Sequence, residues 1–268
     1  MLGAIIGDIA GSRFERNNYR AKDFELFTED CRFTDDSVLS LAICDALLSC
    51  RGDYRDLGAL AVQKMQEVGR CYPDCGYGGK FRHWLYLEHP EPYNSCGNGS
   101  AMRVSGCGFA AASLEEAKEL SLQVTRVTHN HPEGLKGAEA TAASVYLLRS
   151  GFTKNQLREY LQVNYYPLDF TIAGLRSSYK FSATCQGSVP QALEAFLEAR
   201  DFEDAIRTAI SLGGDSDTIG AVAGSLAEAC YGIPPDLRKQ ALTYLDQRLL
   251  GILKEFEEKY PGQGGRKD

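Results

Sequence analysis

The sequence predicts an all-α fold, and three observations predict it. Most apolar runs in the 268-residue chain read as helix. Only 163–172 has the look of a strand, and a lone strand has no ladder partner, so an extended connection is expected there. No internal repeat and no Pro/Ser linker divides the chain. The expectation is one compact domain over 1–260, of about ten or more helices, with a flexible tail at 261–268. In order, 36–48 is apolar almost all round (Val38, Leu39, Leu41, Ala42, Ile43, Ala46, Leu47) and suits a central buried helix. Further helices are expected at 114–127, 133–148, 189–199 and 201–210. Leu242, Leu245, Leu249, Ile252, Leu253 and Phe256 recur at three- and four-residue steps, which predicts an amphipathic helix docking the end of the chain on the core. The polar, Gly-rich residues 262–268 are expected to fray.

Composition narrows the function. Hydrophobic residues are 44% and charged residues 24%, so whole-chain disorder, collagen and coiled coil are excluded. A net charge of −7 without a long basic run argues against general nucleic-acid or anionic-membrane binding. No stretch of about 18 uncharged apolar residues suggests a membrane span. The amino terminus lacks a basic region and its apolar stretch is cut by Asp8, so no signal peptide is read there. Nine scattered cysteines without a Cys-x-x-Cys pair indicate free thiols in a reducing, cytoplasmic compartment and give no zinc pattern.

Two acidic clusters carry the chemistry. Thr34-Asp35-Asp36-Ser37 and Gly213-Gly214-Asp215-Ser216-Asp217-Thr218 each stand before an apolar helical run. Either one alone is equally well read as a helix cap favoured by the helix dipole. As a pair they hold four carboxylates and two Thr hydroxyls, more than capping needs. Four carboxylates brought together repel unless cations balance them. The donors are all oxygen, so the matched ion is hard: Mg²⁺, Mn²⁺ or Ca²⁺. Four carboxylates balance two divalent ions, and the Gly213-Gly214 step would let the backbone approach them. Gly220 and Gly224, four apart with Ala221, Ala223 and Ala227, predict close helix contact.

Other segments keep two readings each. Asp8 reads as a partner of a core arginine and Glu15 as a surface residue, or both as part of a site. Gly76-Tyr77-Gly78-Gly79 is a flexible loop without the Walker ending or a preceding strand. Gly97-Asn98-Gly99-Ser100-Ala101-Met102-Arg103 begins a helix whose amides could bind phosphate, or is a capped Gly-Asn turn. Thr128-His129-Asn130-His131-Pro132 precedes a proline-started helix, with His129 either structural or bonded to a ligand hydroxyl or phosphate.

These segments, in this order, resemble the ADP-ribosylglycohydrolase family, which includes the dinitrogenase reductase-activating glycohydrolase and the ADP-ribosyl-acceptor hydrolases. The matching residues are Gly7-Asp8-x-x-Gly11 with Glu15, Thr34-Asp35-Asp36, the run from Gly97 through Arg103, Thr128-His129, and Gly214-Asp215-Ser216-Asp217-Thr218-x-Gly220. The resemblance implies an all-α, orthogonal multi-helix fold with a binuclear Mg²⁺ centre (Mn²⁺ also compatible) at the base of a cleft. It implies Thr34, Asp35, Asp36, Asp215, Asp217 and Thr218 as metal ligands. Glu15, with Asp35 and Asp217, takes the catalytic positions. Gly76, Tyr77, Gly78, Ser95, Cys96, Gly97, Asn98, Gly99, Ser100, Met102 and His129 fall in segments lining the ADP-ribose site. The implied reaction cleaves ADP-ribose from an acceptor in an ADP-ribosylated protein or small-molecule conjugate. ADP-ribosyl-arginine is favoured because the uninterrupted 97–103 and 34–36 motifs have a bacterial look. Serine-linked or small ribosyl substrates are the alternatives, as is an ADP-ribose-binding module without turnover. A monomer is expected.

Overall fold

The first helix, α1 (Leu2–Gly11), is buried at every residue. It is wrapped by the rest of the chain, which the computed structural model describes over residues 1–261. Thirteen more α-helices follow among the described residues: α2 (Asp35–Ser49), α3 (Leu57–Gly69), α4 (Gly79–Trp84), α5 (Ser105–Ala110), α6 (Leu114–Thr125), α7 (Pro132–Arg149), α8 (Lys154–Asn164), α9 (Ile172–Leu175), α10 (Cys185–Glu198), α11 (Phe202–Ile210), α12 (Ser216–Tyr231), α13 (Pro235–Leu242) and α14 (Gln247–Lys259). The described residues contain no β-strand, and the fold is all-α. Residues 163–172 end α8, cross as an extended connection and start α9. The expected tail lies outside the described residues, apart from Pro261.

The centre is the pair α1 and α12. Gly3, Gly7 and Gly11 fall at four-residue steps, one helical face, and meet Gly224, Gly220 and Ser216 in antiparallel order. A Cβ on Gly7 would lie 2.0 Å from the Gly220 carbonyl oxygen, and one on Gly3 would lie 2.3 Å from that of Gly224. The contact is therefore backbone on backbone, closer than ordinary ridge-and-groove packing allows. The expected tight contact at Gly220 and Gly224 is present, and its partner is a glycine face at the opposite end of the chain. α12 also packs on α7, α10 and α11, while α2 packs on α3 and α14.

Asp8 sits on α1 with no exposure, yet among the described residues no ion pair joins it to an arginine. Its carboxylate instead accepts from Thr34 N (2.9 Å), Thr34 Oγ1 (2.7 Å), Ser37 N (3.0 Å) and Ser37 Oγ. α1 thus fixes the start of α2. The C-terminal apolar periodicity is split between α13 and α14, because Asp246 accepts from Leu249 N and begins a new helix.

Gly7→Ala is expected to destabilise the protein by about 3 kcal/mol, because overpacking at a backbone contact cannot relax through side chains. Gly251→Ala, on α14 with open space around the added methyl, is expected to stabilise by about 0.5–1 kcal/mol. Urea denaturation of both variants tests the pair.

Candidate active site

Two helix starts face each other. Antiparallel packing sets the end of α1 beside the start of α12, and Asp8 brings up the start of α2. Thr34 caps α2, accepting from Asp36 N at 3.3 Å, and leaves the Asp35 and Asp36 carboxylates free of that task. Asp215, at the start of α12, makes no side-chain cap. Capping therefore accounts for one residue of the first cluster and not for its carboxylates. Thr218 joins the clusters, its Oγ1 donating to Asp36 Oδ2 at 3.2 Å. Asn98 Nδ2 donates to Asp215 Oδ2 at 2.7 Å.

Gly213 and Gly214 have φ of +76° and +74°, a left-handed pair that turns α11 into α12. They face Asn18, whose Oδ1 accepts from Gly214 N at 2.7 Å, and the Tyr179 ring. Gly76, at φ +122°, approaches the centre: a Cβ there would lie 2.8 Å from Asp35 Oδ1.

The electrostatics are one-sided. Among the described residues no ion pair reaches Asp8, Asp35, Asp36, Asp215 or Asp217. Burial, with the charges of Asp8 and Asp215, pushes the Asp35 carboxyl up to about 7. Burial and neighbouring carboxylates raise Asp36 and Asp217 well above the usual range. Glu15 is raised by burial and by Asp215, against the pull of Arg16 and Arg32. Oxygens of Asp8, Asp36 and Asp217 lie within 4.8 Å of one another, as do those of Glu15, Asp215 and Asp217. Asp36 Oδ1 is buried without a hydrogen-bond partner. Buried, crowded, all-oxygen donors with one oxygen unused fit a hard divalent cation. Asp8, whose two oxygens already take four donors, serves as the frame of this cluster.

A cleft of about 770 Å³ opens over the acidic floor. It is bordered by Glu15, Thr34, Asp35, Asp36, Gly76, Tyr77, Gly78, Ser95, Gly97, Asn98, Gly99, Met102, His129, Asp215, Asp217 and Thr218. The structure thus gathers residues from six separate sequence segments. Two expected lining residues do not border it. Ser100 is fully buried, and its hydroxyl serves Gly97 O and Gly134 O. Cys96 uses its carbonyl to accept from Cys185 N at 2.9 Å. The run from Gly97 to Arg103 also starts no α-helix; Asn98–Ser100 is a 3-10 turn, with Asn98 N tied to Ala183 O. Sequence reading missed Tyr93, Phe181 and the rim cations Arg16, Arg32, Lys80 and Arg82, which share no spacing and meet only in the fold. It also missed Asp8 as a frame, though a lone Asp in an apolar helix was a usable signal.

A family model described as ADP-ribosylglycohydrolase matches residues 1–265. Similar proteins include the ADP-ribosylarginine hydrolase Tri1 of Pseudomonas putida, 27% identical, over 88% of this chain and 71% of that protein. The ADP-ribosylhydrolase ARH3 of Homo sapiens is 27% identical, over 87% of this chain and 84% of that one. The ADP-ribosyl-[dinitrogen reductase] glycohydrolase of Rhodospirillum rubrum is 29% identical, over 81% and 75%. A solved structure described as an ADP-ribosylglycohydrolase-related protein complex shares the fold with a TM-score of 0.69 at 23% identity, covering 97% of this chain and 95% of that one.

Mg²⁺ or Mn²⁺ at about 100 times its Kd is expected to stabilise the protein by about 2.7 kcal/mol. Asp36→Asn and Asp217→Asn should lose that increment. In chelator both should be at least as stable as the parent, since each removes a buried like charge. Thermal denaturation with ion and with chelator reads both effects.

Proposed function

The chain belongs to the ADP-ribosylglycohydrolase family, and on that premise we propose that it reverses ADP-ribosylation with two divalent ions, Mg²⁺ by preference and Mn²⁺ in its place. The observation that carries this reading is the meeting of two unpaired acidic clusters and Glu15 on the floor of one cleft. Thr34, Asp35, Asp36, Asp215, Asp217 and Thr218 would hold the ions. When bound, the ions supply Lewis-acid polarisation and a more acidic water.

The bond broken joins C1 of the distal ribose to an acceptor nitrogen or oxygen. Water gives its hydroxyl to C1 and a proton to the acceptor, releasing ADP-ribose. Glu15, raised by burial and by the Asp215 charge and open to the cleft, is suited to move that proton. Asn98 keeps the Asp215 carboxylate turned and so sets the acidic floor. Gly76, Tyr77 and Gly78 on one side, and Ser95, Gly97, Asn98, Gly99, Met102 and His129 on the other, would hold ADP-ribose. The rim cations favour its pyrophosphate over the acidic floor.

The substrate is an ADP-ribosylated protein or a small ADP-ribosyl conjugate. An arginine acceptor is favoured, in keeping with the name of the Pseudomonas putida relative. None of the nine cysteines is in a disulfide, which supports action in a reducing compartment such as the cytoplasm. Among the described residues no helix is long and apolar enough to cross a membrane.

Chromatography of matched arginine- and serine-linked peptides, with Mg²⁺ and with chelator, should show Mg²⁺-dependent release of ADP-ribose, fastest from arginine. Release of another product would point to a different ribosyl substrate. Glu15→Gln is expected to keep ADP-ribose binding by calorimetry while kcat falls by about 10²–10⁴. Unchanged turnover would remove Glu15 from the reaction.

A further inference from the structure

In the cleft wall itself lies a charge with no counter-ion among the described residues. Arg103 has no exposure, and among the described residues it forms no ion pair. Its Nη2 donates to Thr128 Oγ1 at 2.7 Å and to Val124 O at 3.3 Å, while Nε and Nη1 are buried without partners. A guanidinium only donates, so Thr128 Oγ1 must accept from it. The Thr128 hydroxyl hydrogen is then left with two acceptors, His129 Nδ1 at 2.7 Å and Thr125 O at 3.4 Å. The shorter, better-matched contact takes it. The same oxygen keeps a second lone pair that could take an Nδ1–H while the hydroxyl turns to Thr125 O, but contacts of 2.7 Å against 3.4 Å favour Nδ1 as the acceptor, with the proton of the neutral ring on Nε2. Nε2 is the nitrogen that faces the Gly97-Asn98-Gly99 turn on the cleft wall, 3.4 Å from the position of a Cβ on Gly97.

We propose that Arg103 and Thr128 are positioning residues that lock His129 as its Nε2–H tautomer, so that it presents a fixed N–H donor to a phosphate or ribose oxygen of the ligand. Burial and the Arg103 charge hold His129 well below its ordinary protonation range, in keeping with a neutral ring. The guanidinium takes one of the two Thr128 Oγ1 lone pairs, so losing it weakens the preference, while losing the hydroxyl removes the donor to Nδ1 altogether. The unpaired cation also leaves positive potential in a wall that would face an anion. The role of His129 towards the ligand rests on the function proposed above; the tautomer does not.

Two readouts keep these apart. In Mg²⁺-loaded protein with ¹⁵N-labelled histidine, long-range ¹H–¹⁵N correlation, assigned with His129→Gln, should show His129 protonated at Nε2 only. Thr128→Ser and Arg103→Lys keep the donor chain and should keep that pattern. Thr128→Val, close to isosteric, should give a mixed or Nδ1–H ring. A parent ring protonated at Nδ1, or an unchanged pattern in Thr128→Val, overturns the proposal. On the ADP-ribosyl peptide, Thr128→Val should raise KM about tenfold, the worth of one hydrogen bond, with kcat nearly unchanged and Thr128→Ser restoring KM. A fall in kcat at constant KM overturns the positioning role. If the parent hydrolyses no ADP-ribosyl peptide while the tautomer pattern holds, the functional reading fails and the relay stands.

Discussion

At its middle the seam between α1 and α12 is backbone on backbone, Gly7 against Gly220, and the active-site floor depends on that. Gly3, Gly7 and Gly11 let the two backbones touch, and their antiparallel order sets the start of α12 against the end of α1. Asp8 then reaches the start of α2 with four hydrogen bonds. Each acidic cluster is placed by this chain of contacts, not by a loop of its own. A site built on helix ends over a close-packed seam is held more rigidly than one built on loops.

Rigidity has a cost, and it is electrostatic. Five carboxylates share a small volume at the join of three helices, and among the described residues no ion pair reaches them. Helix starts soften the repulsion through their dipoles, and each start can also satisfy a carboxylate with backbone amides, as Asp8 does. The remaining imbalance is what a divalent ion would relieve. The cleft wall solves the opposite problem with similar means. There a buried guanidinium stands without a carboxylate, and a threonine passes its directional demand to a histidine ring.

Much of the site was legible because its residues announce chemistry locally. Thr34-Asp35-Asp36 and Asp215-Ser216-Asp217-Thr218 carry too many oxygens for capping, and the order of the five motifs identifies the family. Buried helices with plain apolar runs, such as α2 and α7, could also be read, to within two residues at their ends. What escaped depends on partners far apart in sequence. α1 reads as an apolar stretch broken by Asp8 until α12 supplies its glycine face. Gly213-Gly214 suggests approach to an ion, yet its left-handed turn is spent on Asn18 and Tyr179. Ser100 sits inside a lining motif but is buried, its hydroxyl spent on Gly97 O and Gly134 O, and half-buried Cys96 does not border the cleft either. Asp246 hides a helix boundary inside an unbroken apolar period.

The central claim is that this seam holds two acidic clusters at the spacing of a shared divalent-ion centre. Anomalous diffraction from Mn²⁺-soaked crystals tests it most directly. The account predicts two peaks on the cleft floor, each within bonding distance of carboxylate oxygens, with Asp36 and Asp217 drawing on the same centre. No peak on that floor, or peaks touching one cluster alone, would contradict it.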